Sequence, residues 1–273
     1  MSEYNIVLSS EESTVVAEYV PTYAQPDSYQ SEADLEREFI RLLKEQGYGY
    51  LPIHTEAELV ANLRAQLELL NEYRFSDAEW QRFLNQSLAN KNEGIVEKTR
   101  KIQTDHRQVL KRDDGSTKNI DLIDKENIHN NSLQVINQYE ESSGAHPTRY
   151  DVTILVNGLP LVHCELKRRG VPIREAFNQI NRYERDSFWA SSGLFDYVQL
   201  FIISNGTHTK YYSNTTRSSH VRESSQSERA RSKKTSNSFE FTSFWADAKN
   251  KTIADLVHFT KTFLSKHTLL SVL

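Results

Sequence analysis

Residues 149–167 read Arg149-Tyr-Asp-Val-Thr-Ile-Leu-Val-Asn-Gly-Leu-Pro-Leu-Val-His-Cys-Glu-Leu-Lys167, and this stretch decides the fold. Asn157-Gly158 predicts the turn of a β-hairpin, because both turn positions need a positive φ that these residues tolerate. Apolar, mostly β-branched residues flank the turn on both sides, as in strands buried on both faces of a sheet. Three charges, on Asp151, Glu165 and Lys167, interrupt this pattern although the fold does not need them.

These three charges are expected to converge at one end of the hairpin. A turn near Gly158 sets Asp151 opposite Glu165 or within one residue of it, and Lys167 shares the face of Glu165 because side chains alternate along a strand. A buried carboxylate pair is costly unless a cation, a proton or hydrogen bonds compensate it. Mg²⁺ takes carboxylate, phosphate and water oxygens. The pattern therefore favours a metal-dependent nuclease site. The alternative is an exposed Glu165–Lys167 pair of little consequence.

The residues after the hairpin predict a helix over 171–183, with Pro172 in its first turn and apolar residues at helical spacing. Gln179 and Tyr183 are four residues apart and share one face of this helix. Taken by itself, the helix is explained more simply by an exposed glutamine and a half-buried tyrosine with no role in a site.

The chain resembles the nuclease superfamily named for its Pro-Asp, Asp/Glu-x-Lys motif, PD-(D/E)xK. Within it, the chain is similar to the N-terminal nuclease domain of the restriction (R) subunit of type I restriction-modification enzymes, in the branch usually called type IC. Tyr150 stands where the superfamily motif has proline. The resemblance implies an α/β fold with a mixed, twisted sheet flanked by helices. It runs over nearly the whole chain, through residues 29–32, 151–162, 165–167, 174–180, 203–207 and 266–270.

The resemblance also implies roles for residues of the hairpin and the following helix. Asp151 and Glu165 match the metal-binding acids, with Mg²⁺ as the expected cofactor, and Lys167 matches the catalytic lysine. Gln179 and Tyr183 match a Gln-x-x-x-Tyr motif that supports the site and the DNA.

One further acid is implied on the first predicted helix. Glu36 matches an acidic residue that reaches the same metal site in related nucleases. Glu32 and Glu38 lie on the same helix and remain alternatives for that role.

The formal net charge of −4 argues against DNA binding through overall positive charge. Any DNA contact must be local. Arg168 and Arg169 at the end of the hairpin, and Arg182 with Arg185 on the following helix, are the candidates. Each of them is also compatible with an ordinary solvated surface.

The 273 residues, 37% hydrophobic and 26% charged, fit a globular α/β protein. The single cysteine excludes an internal disulfide, and the lack of an apolar run of about 18 residues excludes a membrane span. We expect a cytoplasmic protein. Residues 1–28 are expected to form an N-terminal arm and 29–266 the nuclease domain, with a helical insertion at about 55–100 and a polar loop at 213–238. Residues 267–273 are expected to begin a linker to a motor domain.

Further local patterns predict where helices and strands lie. Capping residues precede apolar-periodic runs at three places and predict helix starts. The last helix is expected at 252–266. The predicted capping residues are Ser31, Thr55 and Ser76, and the predicted strands outside the hairpin are 5–8, 14–19, 120–123, 133–139, 198–204 and 207–212.

No Gly-x-x-x-x-Gly-Lys-Ser/Thr loop occurs, so this chain by itself should not bind ATP in the P-loop manner. The resemblance implies that ATP acts only in the full-length subunit, whose motor pulls double-stranded DNA, and that modification (M) and specificity (S) subunits are partners. Two alternatives remain open. One is a standalone repair or junction-resolving nuclease, and the other is a non-enzymatic module that docks DNA or subunits.

Overall fold

The computed structural model describes residues 4–10, 13–19, 30–214 and 238–273, the first two stretches as backbone only. The strands are β1 Tyr4–Ser10, β2 Ser13–Tyr19, β3 Gly49–Tyr50, β4 Arg107–Lys111, β5 Thr117–Asp121, β6 Leu133–Glu141, β7 Thr148–Val156, β8 Leu159–Leu166, β9 Leu200–Ser204, β10 Thr209–Ser213, β11 Trp245–Ala246 and β12 Thr252–Ile253. The α-helices are α1 Glu32–Glu45, α2 Glu56–Leu70, α3 Asp77–Phe83, α4 Ile95–Gln103, α5 Arg174–Asp186, α6 Leu256–Thr262 and α7 Lys266–Val272.

A six-stranded mixed sheet in the order β10-β9-β8-β7-β6-β3 forms the centre of the molecule. Strand β3 runs parallel to β6, and β8 runs parallel to β9, whereas the other neighbours are antiparallel. The β7–β8 hairpin lies in the middle, and every residue of β8 is buried. The predicted mixed sheet is confirmed, and its central hairpin is the one that the sequence indicates.

The hairpin turn has the expected backbone, with φ of 49° at Asn157 and 82° at Gly158. A Cβ at Gly158 would lie 2.6 Å from Cα of Leu63, so glycine is required both by the positive φ and by the close approach of α2. The Asn157 side chain accepts a hydrogen bond from the Ser132 backbone N–H at 2.8 Å and donates one to the Leu122 carbonyl at 3.1 Å. These contacts fix the turn against neighbouring loops.

Helices cover both faces of the sheet. Tyr212 on β10 contacts the ring of Phe177 on α5, whereas the adjacent Tyr211 contacts Phe259 and Phe263, which lie on or directly after α6. Because successive strand residues point to opposite faces, α5 and α6 pack on opposite sides of the sheet. The expected arrangement of a sheet between helices is confirmed.

The three predicted helix starts are present. Ser31, Thr55 and Ser76 each accept a hydrogen bond from the backbone N–H three residues later, in a capping box. Residues 31–100 are largely helical, as expected, although a short π-helical stretch, Leu84–Leu88, follows α3.

The predicted helix over 252–266 is wrong. Thr252–Ile253 pairs with β11, Asp255 then caps α6, and Ser265 caps α7. Residues 267–273, which we expected to begin a linker, are helical through Val272, and Leu269, Leu270 and Leu273 are buried.

Other predicted segments differ in detail. The strand predicted at 120–123 is observed as β5, which pairs with β4 in a separate hairpin and not in the central sheet. The predicted N-terminal strands are present and pair as β1 and β2. Residues 215–237 of the predicted polar loop lie outside the described residues. Within the part of the chain that the structure describes, no helix has the length and apolar character of a membrane span.

Candidate active site

An open cleft of about 490 Å³ lies where the hairpin strands end beside α5. Its lining includes Asp151 from β7, Lys167 just after β8, and Gln179, Arg182 and Tyr183 from α5. The structure therefore brings together residues that the sequence places up to 32 positions apart (183 minus 151). Glu165 is fully buried and does not itself line the cleft.

The hairpin register sets the two acids side by side. Val152 pairs with Cys164, so Asp151 and Glu165 are the next residues along β7 and β8. The Asp151 carboxylate accepts a hydrogen bond from the Leu166 N–H at 3.0 Å. On the Glu165 side, Oε1 accepts a hydrogen bond from Nζ of Lys167 at 3.1 Å. The expected convergence of two carboxylates and an ammonium is present.

The electrostatics of the pair oppose two negative charges. Burial, and then the neighbouring Glu165 carboxylate, raise the pKa of Asp151 to about 7. Burial raises the pKa of Glu165 to about 7 even though the Lys167 ammonium acts in the opposite direction. Desolvation dominates both shifts. A cation at this point would favour the charged form of both groups, and Oε2 of Glu165 has no hydrogen-bond partner among the described residues.

His163 lies behind Glu165 and was not selected from the sequence. Its Nε2 is 3.5 Å from Glu165 Oε2, and its Nδ1 is 3.3 Å from Oγ1 of Thr153. The imidazole is fully buried, and burial lowers its pKa to about 4. Strand alternation carried the signal, because a residue two before Glu165 shares its face.

The two polar residues of α5 form a chain of hydrogen bonds to β7. Gln179 donates to the hydroxyl of Tyr183, and that hydroxyl donates to the Arg149 carbonyl at 2.9 Å. Arg149 is two residues before Asp151, so this chain ties α5 to the strand that carries the acid. The roles of Gln179 and Tyr183 at the site stay predictions.

Of the three acids considered on α1, two lie near the site. Glu36 accepts hydrogen bonds from the side-chain amides of Asn137 and Gln138. Burial and the Asp151 charge raise the pKa of Glu36, although these two hydrogen bonds act in the opposite direction. Glu32 lines the cleft and accepts a bond from the Arg168 N–H at 3.4 Å. Glu38 instead accepts a hydrogen bond from Gln30 and does not line the cleft.

The predicted DNA-binding cations separate in space. Arg182 lines the cleft, whereas the side chains of Arg168 and Arg169 do not, and a Cβ at Gly206 would lie 3.4 Å from Nε of Arg169. Arg185 is paired with Asp186 at 2.6 Å. Arg149 lines the cleft and is exposed, and it was not selected from the sequence. Its position two residues before Asp151 was the available signal. The individual roles of these residues stay predictions.

The donor atoms present fit a small, hard cation. Asp151 and Glu165 offer carboxylate oxygens, and the Leu166 carbonyl, which accepts from Lys167 at 3.0 Å, adds a third oxygen. Residues 30–214 and 238–273 hold no group of three or more His, Cys, Asp and Glu side chains arranged for a metal. Mg²⁺ needs no such cage, because it keeps several waters and is held by one or two carboxylates plus substrate phosphate.

Comparison with known proteins identifies the family. The family model described as "Type I restriction enzyme R protein N terminus" matches residues 29–220. The chain belongs to this family. The resemblance to the N-terminal domain of the type I restriction subunit is thereby confirmed.

Relatives within this family carry consistent names. The type I restriction enzyme EcoprrI endonuclease subunit of Escherichia coli is 50% identical over 260 residues, which cover 95% of this chain and 78% of that protein. The SsaAORF53P endonuclease subunit of Staphylococcus saprophyticus is 39% identical over 241 residues, 86% of this chain. The SauMSSORF170P subunit of Staphylococcus aureus is 36% identical over 242 residues. The chain spans only 23% of the length of each staphylococcal relative.

Proposed function

We propose that this chain is the Mg²⁺-dependent DNA-cleaving domain of a type I restriction endonuclease, with a PD-(D/E)xK nuclease core. Family membership supports the endonuclease assignment, because the relatives are named as endonuclease subunits of type I restriction enzymes. The substrate would be double-stranded DNA, and the reaction would be hydrolysis of a phosphodiester bond.

The observation that carries the proposal is the acidic pair at the cleft. The buried Glu165 carboxylate and the partly buried Asp151 carboxylate, both with raised pKa values, lie at neighbouring positions of β8 and β7, with the Lys167 ammonium 3.1 Å from Glu165. Such a pair is unfavourable when both groups are ionised and no cation lies beside them. The same groups are what a hydrolytic site for phosphate requires.

Asp151 and Glu165 would hold the ion, with the Leu166 carbonyl as the third protein oxygen. When bound, Mg²⁺ supplies positive charge that stabilises the negative charge developing on the scissile phosphate. Lys167 is placed to orient the attacking water through its ammonium. Arg149 and Arg182, which line the cleft, would bind phosphates of the DNA backbone on either side.

Residues around the acidic pair would hold it in position. The Gln179–Tyr183–Arg149 hydrogen bonds keep the end of β7 in place, so that Asp151 faces the cleft. Glu36 is held by two amides close to Asp151 and adds negative charge to the site.

We extend the proposal to the complete enzyme. The full-length subunit would carry an ATP-driven motor that pulls DNA towards this domain, and modification (M) and specificity (S) subunits would select the sequence. The assembled enzyme would act in the cytoplasm. The isolated domain, without the motor to deliver DNA, is expected to cleave slowly.

The decisive experiment compares metal binding and cleavage in matched variants. Titration of the chain with Mn²⁺ in a calorimeter should show binding that Asp151→Asn and Glu165→Gln abolish. In the enzyme assembled with its partner subunits, both variants and Lys167→Ala should lower DNA cleavage by at least roughly 10²-fold, the usual effect of removing a group that stabilises a transition state.

Asp186→Asn is the matched control, because Asp186 also lines the cleft but is paired with Arg185. It should leave Mn²⁺ affinity unchanged. Cleavage at the unsubstituted rate by Asp151→Asn and Glu165→Gln would refute the assignment, and absence of Mn²⁺ binding would favour a module that only docks DNA or subunits.

A further inference from the structure

His163 and Glu165 present two buried polar atoms to each other. Glu165 Oε2 and His163 Nε2 are 3.5 Å apart, and neither has a hydrogen-bond partner in the ranges that the structure describes. Both side chains are fully buried. Unpaired polar atoms inside a protein are costly, so two of them directed at each other require a physical reason.

Aromatic rings enclose His163 on three sides. The rings of Tyr150, Tyr183 and Phe188 contact it edge-on, at centroid distances of 5.6, 5.9 and 5.6 Å. A neutral imidazole carries its proton on either Nδ1 or Nε2, and the neighbour of one nitrogen decides which.

Thr153 lies beside one nitrogen and Glu165 beside the other. The Thr153 hydroxyl is 3.3 Å from Nδ1 of His163 and can either donate or accept there. The Glu165 carboxylate, when ionised, can only accept, so it favours the ring proton on Nε2, and Thr153 then donates to Nδ1. The chain of donors then runs from Thr153 through His163 to the carboxylate.

We propose that His163 is a positioning residue for Glu165: its Nε2–H donates to Oε2, and Thr153 supports this tautomer by donating to Nδ1. The inference rests on the proposed function of Glu165 as a metal ligand. A carboxylate accepts up to four hydrogen bonds or ligands, so Oε2 can accept from His163 while Glu165 still binds a cation. Hydrogen bonds of this kind orient metal-binding carboxylates and commonly change metal affinity 10- to 100-fold.

The separation of 3.5 Å is long for an N–H···O bond and is expected to shorten when a cation engages Glu165. The position of the proton is measurable without any metal. Long-range ¹H–¹⁵N spectra of the chain, labelled at histidine and recorded at pH 9, where Glu165 is ionised, should show His163 as the Nε2–H tautomer, with the signal assigned by its loss in His163→Gln. A proton on Nδ1 would overturn the inference and leave the proposed function untouched.

Metal affinity provides the second test. The amide nitrogen of glutamine lies close to where Nε2 lies in histidine, so His163→Gln should keep Mn²⁺ affinity near that of the unsubstituted chain. His163→Phe fills the same space without an N–H and should weaken Mn²⁺ binding about 10- to 100-fold. Thr153→Val, which releases the tautomer, should weaken it by less than His163→Phe.

Phe188→Leu controls for damage to the aromatic walls, because it alters packing around His163 without touching a polar group. It should leave Mn²⁺ affinity unchanged. Equal losses in Phe188→Leu and His163→Phe, or an unchanged affinity in His163→Phe, would overturn the positioning role. Retained Mn²⁺ binding in Glu165→Gln would instead contradict the proposed function, so the two failures are distinguishable.

Discussion

Two clusters of charged residues in this molecule differ in the signs of the charges that they bring together. Lys98 is 2% exposed, and its ammonium donates to the Gly193 carbonyl at 2.6 Å and pairs with Asp196 at 3.4 Å. The other cluster is Asp151 and Glu165, where two groups of the same charge lie side by side and an oxygen of Glu165 has no partner among the described residues.

Burial shifts the pKa values in both clusters. It lowers the pKa of Lys98 and raises the pKa of Asp196, as it raises the pKa values of Asp151 and Glu165. An opposite charge counteracts the shift in both clusters: Lys98 and Asp196 act on each other, and Lys167 acts on Asp151 and Glu165. Burial and a perturbed pKa therefore do not separate a structural pair from a functional one. Two other features separate them: the Glu165 oxygen without a hydrogen-bond partner among the described residues, and the position of Asp151 at an open cleft.

The largest effect on stability is expected at the structural cluster. Lys98→Ala leaves Asp196 without its ion-pair partner and should lower the free energy of unfolding by about 3 to 5 kcal/mol, the usual cost of breaking a buried pair. Urea denaturation measures this. Lys98→Met combined with Asp196→Leu removes both charges and should cost much less. Mn²⁺ affinity should stay unchanged in folded protein, and a loss there would erase the distinction between the clusters.

The acidic cluster should respond to metal instead. A ligand that binds only the folded state at 100 times its Kd stabilises it by about 2.7 kcal/mol. We expect a gain of that size for the chain in Mn²⁺, measured by urea denaturation against EDTA. Glu165→Gln should remove the gain, and Asp186→Asn should keep it. Equal stabilisation of all three proteins would mean that the ion binds elsewhere.

The acidic pair should also make metal-free stability depend on pH. The folded pKa values of Asp151 and Glu165, about 7, lie above their ordinary values of 3.8 and 4.5. Their stabilising contribution is therefore complete below about pH 4 and is lost as the pH rises through 7. At pH 8 in EDTA, Glu165→Gln should be more stable than the unsubstituted chain by about 1 to 3 kcal/mol, the cost of an unsatisfied buried group.

At pH 5 that advantage should shrink, because Glu165 is then protonated in the folded state. Unfolding curves at the two pH values measure the difference. Asp186→Asn is again the control, since the Arg185 side chain lowers the pKa of Asp186 and the dependence has the opposite sign. An advantage of Glu165→Gln that is independent of pH would contradict the shift.

Local sequence signals account for much of the fold. The Asn157-Gly158 turn and the capping residues predicted the central hairpin and the helix starts, because these features are set by neighbouring residues. The break between α6 and α7 was missed, although Asp255 and Ser265 are both N-cap residues. Strand β3 has two residues, and its parallel pairing with β6 depends on contacts distant in the sequence, which no local pattern reveals.

The site was predictable as far as strand geometry reaches. The turn position and the alternation of side chains are enough to predict that Asp151, Glu165 and Lys167 lie together. The directions of the Arg168 and Arg169 side chains were not predictable, because both residues lie beyond the end of β8, where side chains no longer alternate between the two faces of the sheet. Predicting that His163 lies opposite Thr153 would have required the register of the hairpin to within one residue.

The smallest expected effect compares two buried tyrosine hydroxyls. Tyr183 donates to the Arg149 carbonyl at 2.9 Å, whereas the hydroxyl of Tyr212 has no hydrogen-bond partner within the described part of the chain. Tyr183→Phe should therefore cost about 1 kcal/mol of unfolding free energy, the net value of one hydrogen bond, and should slow cleavage by loosening the strand that carries Asp151. Tyr212→Phe removes an unsatisfied group and should be neutral or stabilising. Urea denaturation and cleavage rates, measured for both variants, test these two expectations. Equal effects would show that the hydroxyl of Tyr183 gives β7 no support beyond packing.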